Sequence, residues 1–238
     1  MMMIAATAGM LAQTDLDSAE QVVARYYSIM GYDHLPHNKM LYLETQIVST
    51  AAQGDTALLR RWFALPNSYR IELWQDDTLR EGWHNDEQLV FRKYDAKKRQ
   101  WIKASQMHYY DNITGYDFRG PLYRRKTNGS VMVYGGLVSF EGHAVHKVMV
   151  SAPEMYDRDY LFEKESGLLF LYIEHETAYG NEEMNAENHV DWRSIEEYLP
   201  VGPAIVVSRE TYQHNGYRTT LIHKPQLLPT DRSLFAND

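Results

Sequence analysis

Ten histidines, thirty-two carboxylates and no cysteine define the chemistry open to this 238-residue chain. Without thiols there is no cysteine nucleophile, no disulfide scaffold and no thiolate metal site, and the redox compartment stays undetermined. His34 and His37 share one loop. His143 and His146 lie three apart on a predicted strand, so they point to opposite faces and cannot chelate one metal without a bulge. His189 and Asp191 do share a face, but nothing has the His-Glu-x-x-His spacing of a zinc protease. The acidic pairs Asp76-Asp77, Glu182-Glu183 and Glu196-Glu197 fall at turns or strand ends, where a solvated role is the default. Glycoside hydrolysis would need two such acids to converge across a cleft. No Gly-x-Ser-x-Gly elbow occurs, and the glycines sit singly in turns rather than in a phosphate-cradling loop. Asn112-Ile-Thr and Asn128-Gly-Ser match the glycosylation pattern, a motif short enough to arise by accident. No catalytic residue, metal ligand or cofactor is assigned.

The elements that would position a site are mostly strands. From Ser130 to Thr177 the chain makes three strand-like passes, with Gly135-Gly136, Glu141-Gly142 and Ser166-Gly167 read as turns. Alternating runs also cover 40–47, 69–74, 79–83, 88–94 and 100–103, and later 189–198, 204–212 and 217–223. Residues 56–65 suit a helix or a strand. About eleven strands result, too many for a small filled barrel and enough to curl around an interior space. Asp15 to Met30 predicts a helix, capped by Asp17 or Ser18 and ended by Gly31, with Val22, Val23, Tyr26, Ile29 and Met30 on one face. The aromatic-rich 105–126 segment breaks the strand rhythm and reads as a cover or large loop.

Composition narrows the class further. A net charge of −8 and the absence of a basic stripe argue against a nucleic-acid partner. Eighteen tyrosines and five tryptophans suit sheets with one apolar and one wet face. Residues 1–12 are uncharged and too short to span a bilayer; they read as the apolar core of a secretory signal with cleavage after Ala12, before a single domain at 13–238. No other stretch reads as a transmembrane helix. If Tyr69, Ile71, Leu73, Phe91, Val148, Val150, Tyr160, Phe162, Leu169, Leu171 and Ile173 share the concave face, they form either a dry core or a ligand pocket.

Several segments, in order, resemble the periplasmic outer-membrane lipoprotein-sorting proteins of LolA/LolB-like fold. They are Ala24-Arg-Tyr-Tyr-Ser-Ile-Met-Gly31, Phe118-Arg-Gly-Pro-Leu122, Tyr134 to Val148, Tyr160 to Leu169, and Leu228 to Phe235. The resemblance implies a mainly β (α+β) fold, an incomplete antiparallel barrel with helices covering the concave face. It implies a non-catalytic periplasmic carrier of a lipid or acylated protein, working among other envelope proteins. In that reading Tyr26, Ile29 and Met30 form the movable cover and the strand residues above form the cavity wall. The carriers' cavity arginine finds no counterpart by sequence, and there is no lipobox cysteine. Two other readings remain: an envelope interaction module with a filled barrel and, more distantly, a hydrolase using the acidic pairs or His189 and Asp191.

Overall fold

The computed structural model describes residues 16–49, 57–65, 68–86, 90–104, 119, 121–124, 129–151, 157–175, 191–214 and 217–236. The expected signal segment, the turn at 53–55, most of the 105–126 cover segment, the loop at 181–188, His189, the motif asparagines Asn112 and Asn128 and the Asn215-Gly216 turn lie outside them.

Helix α1 (Ala19–Met30) forms where its caps demand. Ser18 is extended and its hydroxyl accepts from the Gln21 N–H, while Gly31, at φ 65°, donates its N–H to the Tyr27 carbonyl. Ala19, Val22, Val23, Tyr26 and Met30 make the buried face, as their helical spacing requires.

Six strands follow: β1 (Lys39–Ser49), β2 (Ala57–Ala64), β3 (Ser68–Gln75), β4 (Thr78–Asn85), β5 (Phe91–Asp95) and β6 (Gln100–Lys103). A second series comprises β7 (Val131–Phe140), β8 (His143–Ser151), β9 (Asp157–Glu163), β10 (Leu169–His175), β11 (Asp191–Val201), β12 (Ala204–His214) and β13 (Tyr217–Pro229). All thirteen join one open sheet of order β6-β5-β4-β3-β2-β1-β13-β12-β11-β10-β9-β8-β7. Each neighbour is antiparallel and consecutive in sequence except at β1–β13, which pair from Lys39↔Pro229 to Ser49↔Thr219. The sheet is open, as expected, but has thirteen strands rather than about eleven. Ala57–Ala64, readable as helix or strand, pairs on both sides, and one α-helix stands among the described residues where several were expected.

Bulges account for the other departures. Gly135-Gly136 is no turn: β7 runs straight through it, with a register shift between Tyr134 and Gly136. In β10 the pairing passes from Leu169↔Phe162 to Leu171↔Leu161, leaving Phe170 as an extra residue. An inserted residue reverses which face each later side chain meets. Leu171 and Ile173 therefore belong with Val145, Leu161 and Trp192 on the convex side, not with Tyr160 and Phe162 as uninterrupted alternation required.

The short helix Arg232–Phe235 closes the chain against the convex face. Phe235 is buried with Met40 and Ala64, and Arg70 donates to the Leu234 carbonyl at 2.8 Å.

Gly31 ties α1 to the sheet: a Cβ there would lie 2.5 Å from the Pro203 carbonyl oxygen, at a positive φ. Gly142 also has a positive φ of 85° but faces open space. Gly31→Ala should therefore cost about 2 kcal/mol or more, combining backbone strain with a displaced helix. Gly142→Ala should cost only about 1 kcal/mol. Urea unfolding of the two variants checks the difference, and equal losses would refute the tight docking of the helix end.

Candidate functional site: a covered apolar wall and a buried polar belt

Register assigns the concave wall strand by strand. Leu41 and Leu43 on β1 stand opposite Phe63 and Arg61 on β2, and Phe63 in turn opposite Tyr69 on β3. Across the sheet, Tyr160 on β9 faces Val148 on β8 and Tyr172 on β10. One apolar cluster joins these walls to α1. It contains Tyr26, Met30, Tyr69, Ile71, Phe91, Val148, Val150, Tyr160 and Phe162, with Leu73 and Leu169 partly buried against it. Ile29 is half-buried beside Gly167. Thus nine of the fourteen residues singled out from sequence lie in that cluster, while Leu171 and Ile173 lie across the sheet from it. The interior is well filled here, with Val23, Met30, Val148 and Phe162 fully buried.

The cover has two pieces. Helix α1 lies against β7, β8 and β12. Arg25 fastens it to the β9–β10 turn by donating to the carbonyls of Lys164 and Glu165 at 3.0 and 2.8 Å. Over the other half, Leu122 joins the apolar cluster, and the buried Arg119 guanidinium sits 4.4 Å from the Phe63 ring centre and 4.1 Å from that of Tyr123. Polar links join the pieces: Tyr27 donates to the Arg119 carbonyl at 3.0 Å and Tyr123 to the Asp33 carboxylate at 2.6 Å. The Tyr27 and Tyr123 rings meet edge-on at 5.4 Å.

Toward the opposite end, where Ser49, Ser151, His175, Asp191 and Tyr217 stand, the same concave face turns polar. A chain of side chains crosses neighbouring strands. Arg61 on β2 donates to Thr45 Oγ1 on β1 at 3.1 Å. Thr45 Oγ1 and Arg61 Nη2 stand 2.7 and 3.2 Å from Nδ1 of His223 on β13. A guanidinium can only donate, so His223 accepts at Nδ1 and carries its proton on Nε2. That proton goes to Glu210 Oε1 on β12, 3.1 Å away. Arg193 on β11 reaches the other Glu210 oxygen at 3.5 Å. Beyond it Arg158 and Arg193 flank the Tyr172 ring at 5.7 and 5.5 Å, and Glu174 holds Arg158 at 2.5 Å.

Electrostatics follow from these contacts. Burial alone would raise the Glu210 carboxyl, but Arg193, the His223 hydrogen bond and Arg61 together hold it at about 2. Burial pushes His223 below its ordinary value, Arg61 adds to that, and Glu210 opposes it. Burial likewise raises the phenols of Tyr26, Tyr160, Tyr172 and Tyr198, so they stay neutral.

Sequence inspection missed this belt, although a signal existed. Thr45 falls between Leu43 and Ile47, Arg61 between Leu59 and Phe63, and His223 between Leu221 and Pro225, all at apolar parity. His143 and His146 do face apart. His143 stacks on Phe170 at 4.8 Å on the convex side, and the buried His146 bonds the Tyr134 hydroxyl at 2.9 Å. Asp76 and Asp77 form a hairpin tip on the rim of a convex pocket of about 470 Å³, and Glu196 pairs with Arg209 at 2.7 Å. Among the described residues no group of three His, Asp or Glu side chains is placed to hold a metal.

An open antiparallel half-barrel with a helix laid over an apolar concave face defines the LolA-like fold class. The solved structures agree. A LolA superfamily protein from Nitrosomonas europaea matches with a TM-score of 0.62 and 9% identity, over 94% of this chain and 99% of that one. A DUF1329 family protein from Desulfovibrio piger matches at 0.57 and 10% identity, over 91% and 97%. A domain designated outer membrane lipoprotein-sorting protein, from Vibrio parahaemolyticus, matches at 0.55 and 9% identity, over 88% and 90%. The sequence matches no protein-family model and no curated protein. The chain therefore has the LolA-like fold, recognised at the level of architecture.

The belt makes stability depend on pH. Both His223 and Glu210 have folded pKa values below their ordinary ones, so the unfolded chain binds more protons in acid and stability is lost as pH is lowered. The His223 contribution declines below pH 6.5. The Glu210 contribution, about 3 kcal/mol, is present above 4.5 and is lost as pH falls toward 2. Glu210→Gln should lower stability at neutral pH by about 3 kcal/mol, because Arg193 and Arg61 lose their counter-charge. Urea midpoints measured across that range should fall less steeply for Glu210→Gln below pH 4.5. Equal slopes would remove the belt from the acid response.

Proposed function

We propose that this protein is an envelope carrier that takes a lipid, or the acyl chain of an acylated protein, between the concave wall and its two-piece cover, without catalysis. The observation that supports this reading is the continuous apolar contact between the concave wall and its cover. Arg25, Tyr27 and Tyr123 supply hydrogen bonds that hold the cover, while the cluster beneath is built mainly of hydrocarbon and aromatic ring. A cover held this way can lift and exchange its own apolar contacts for a ligand's. Each methylene that leaves water gains about 0.8 kcal/mol, so a dozen would supply roughly 10 kcal/mol before ordering and lifting costs. Tight but exchangeable binding follows.

The likeness to a lipoprotein-sorting domain agrees in fold and favours a periplasmic setting. No described helix is long and apolar enough to cross a membrane. The filled state of the interior, with Val23, Met30 and Phe162 at 0 % exposure, favours a second reading: an interaction module whose barrel holds nothing but its own side chains.

Displacement of a fluorescent fatty acid, with mass spectrometry of lipids extracted from the purified protein, separates the two. The carrier reading expects co-purifying lipid and saturable displacement. Protein repeatedly free of lipid and unable to bind the probe would leave the filled module. Within the carrier reading, Phe162→Ala should change probe affinity by roughly tenfold, whereas Leu171→Ala should cost about 2–4 kcal/mol of stability and leave affinity unchanged. Tyr27→Phe, which frees one cover link, should speed probe entry.

A further inference from the structure

The two edges of the sheet are built in opposite ways. β6 is a four-residue strand ending in Lys103, beside a turn carrying Asp95, Lys97, Lys98 and Arg99. Short, charged edges are how sheets avoid pairing with other strands. β7 at the far edge is ten residues long, Val131-Met-Val-Tyr-Gly-Gly-Leu-Val-Ser-Phe140, with no charge and no proline. Val131, Val133 and Leu137 are 63 %, 52 % and 48 % exposed, and Met149 beside them on β8 is 36 % exposed. Among the described residues no strand continues the sheet past β7.

We infer that β7 pairs antiparallel with β7 of a second copy of this chain, joining two sheets edge to edge across a two-fold axis. Register selects this occupant. Before the bulge, Val133 faces Met149 on the convex side, while Met132 and Tyr134 pack inward. After it, Val138 and Phe140 pack with the convex cluster, and Leu137 stands opposite the inward-facing His146. Place the two-fold at Gly135-Gly136, and Val131 lies opposite the partner's Phe140, Val133 opposite the partner's Val138, and Tyr134 opposite the partner's Leu137. Every one of these pairs joins side chains on the same face. The bulge that breaks parity in one copy is answered by the bulge in the other, so strand and copy are self-complementary. No like charges meet along the seam, even though each copy carries a net −8. An isologous contact of this kind closes on itself and stops at two copies, because the other edge is blunted.

The absence of cysteine permits a clean test. Opposed residues in an antiparallel pair bring Cβ atoms to about 5 Å, near disulfide range. Val133→Cys and Val138→Cys chains, prepared separately and then mixed under mild oxidation, should give a covalent dimer. Neither variant alone should match that yield. Wild-type protein should sediment as a dimer at micromolar concentration. Val133→Lys should weaken that dimer by roughly tenfold or more while keeping the far-ultraviolet circular dichroism and unfolding midpoint of the parent. A wild-type monomer, cross-linking as efficient in either single variant as in the mixture, or a Val133→Lys dimer of unchanged strength would each overturn the inference.

Discussion

The pairing of β1 with β13 holds the molecule together. Each half of the sheet is a run of neighbours that pair as they follow one another in sequence. Lys39–Ser49 must instead find residues at the far end of the chain, at a high loop-closure cost. Across this seam pass the contacts from Thr45 to His223, fed from one side by Arg61 and from the other by Glu210. A buried charge left without its counter-charge costs several kcal/mol. The belt therefore penalises any misregistered join: shifting β13 by one residue would turn His223 to the convex face and leave Thr45, Arg61 and Glu210 without their buried partner at the seam. Apolar contacts supply the bulk of the stability, while this polar chain specifies how the halves meet.

The concave face is thus divided between two kinds of interaction. Under the cover lie Tyr26, Met30, Tyr160 and Phe162, whose contacts are non-directional and can be exchanged for others of the same kind. Toward the other end lie Arg61, His223, Glu210, Arg193 and Arg158, whose partners are fixed in geometry. The convex side adds its own fastening where Arg70 grips both Glu72, at 2.6 Å, and the Leu234 carbonyl.

Much of the architecture was legible because it rests on local rules. Ser18 and Gly31 bracket α1, and the turn residues Glu141-Gly142 and Ser166-Gly167 mark real reversals. What sequence inspection misread were the places where one residue is inserted. Gly135-Gly136 has the composition of a turn but sits in a bulge, and Phe170 has no composition signal at all, so unbroken alternation puts Leu171 and Ile173 on the concave face when they lie on the convex one. Bulges are settled by the partner strand, which sequence alone does not identify. The belt was missed for a related reason. Each of its members looks like an ordinary polar residue on a half-wet strand, and only the cross-strand register reveals that they touch. Two of the cover's links, through Arg119 and Tyr123, come from a segment whose irregularity was visible and whose contacts were not.

The strand order has one more implication. Reading across the sheet from β7 to β13 and on through β1 to β6 follows an uninterrupted up-and-down path. The topology is a cyclic rotation of the plainest antiparallel meander, with the chain interrupted at the β13–β1 seam and its two outer strands joined through the β6–β7 connection. A circular permutant opened between β6 and β7, with the old ends joined by a linker, would retain every strand pair while making the seam local. Contact order would fall sharply with the native structure unchanged, and with it the principal barrier that topology places on folding.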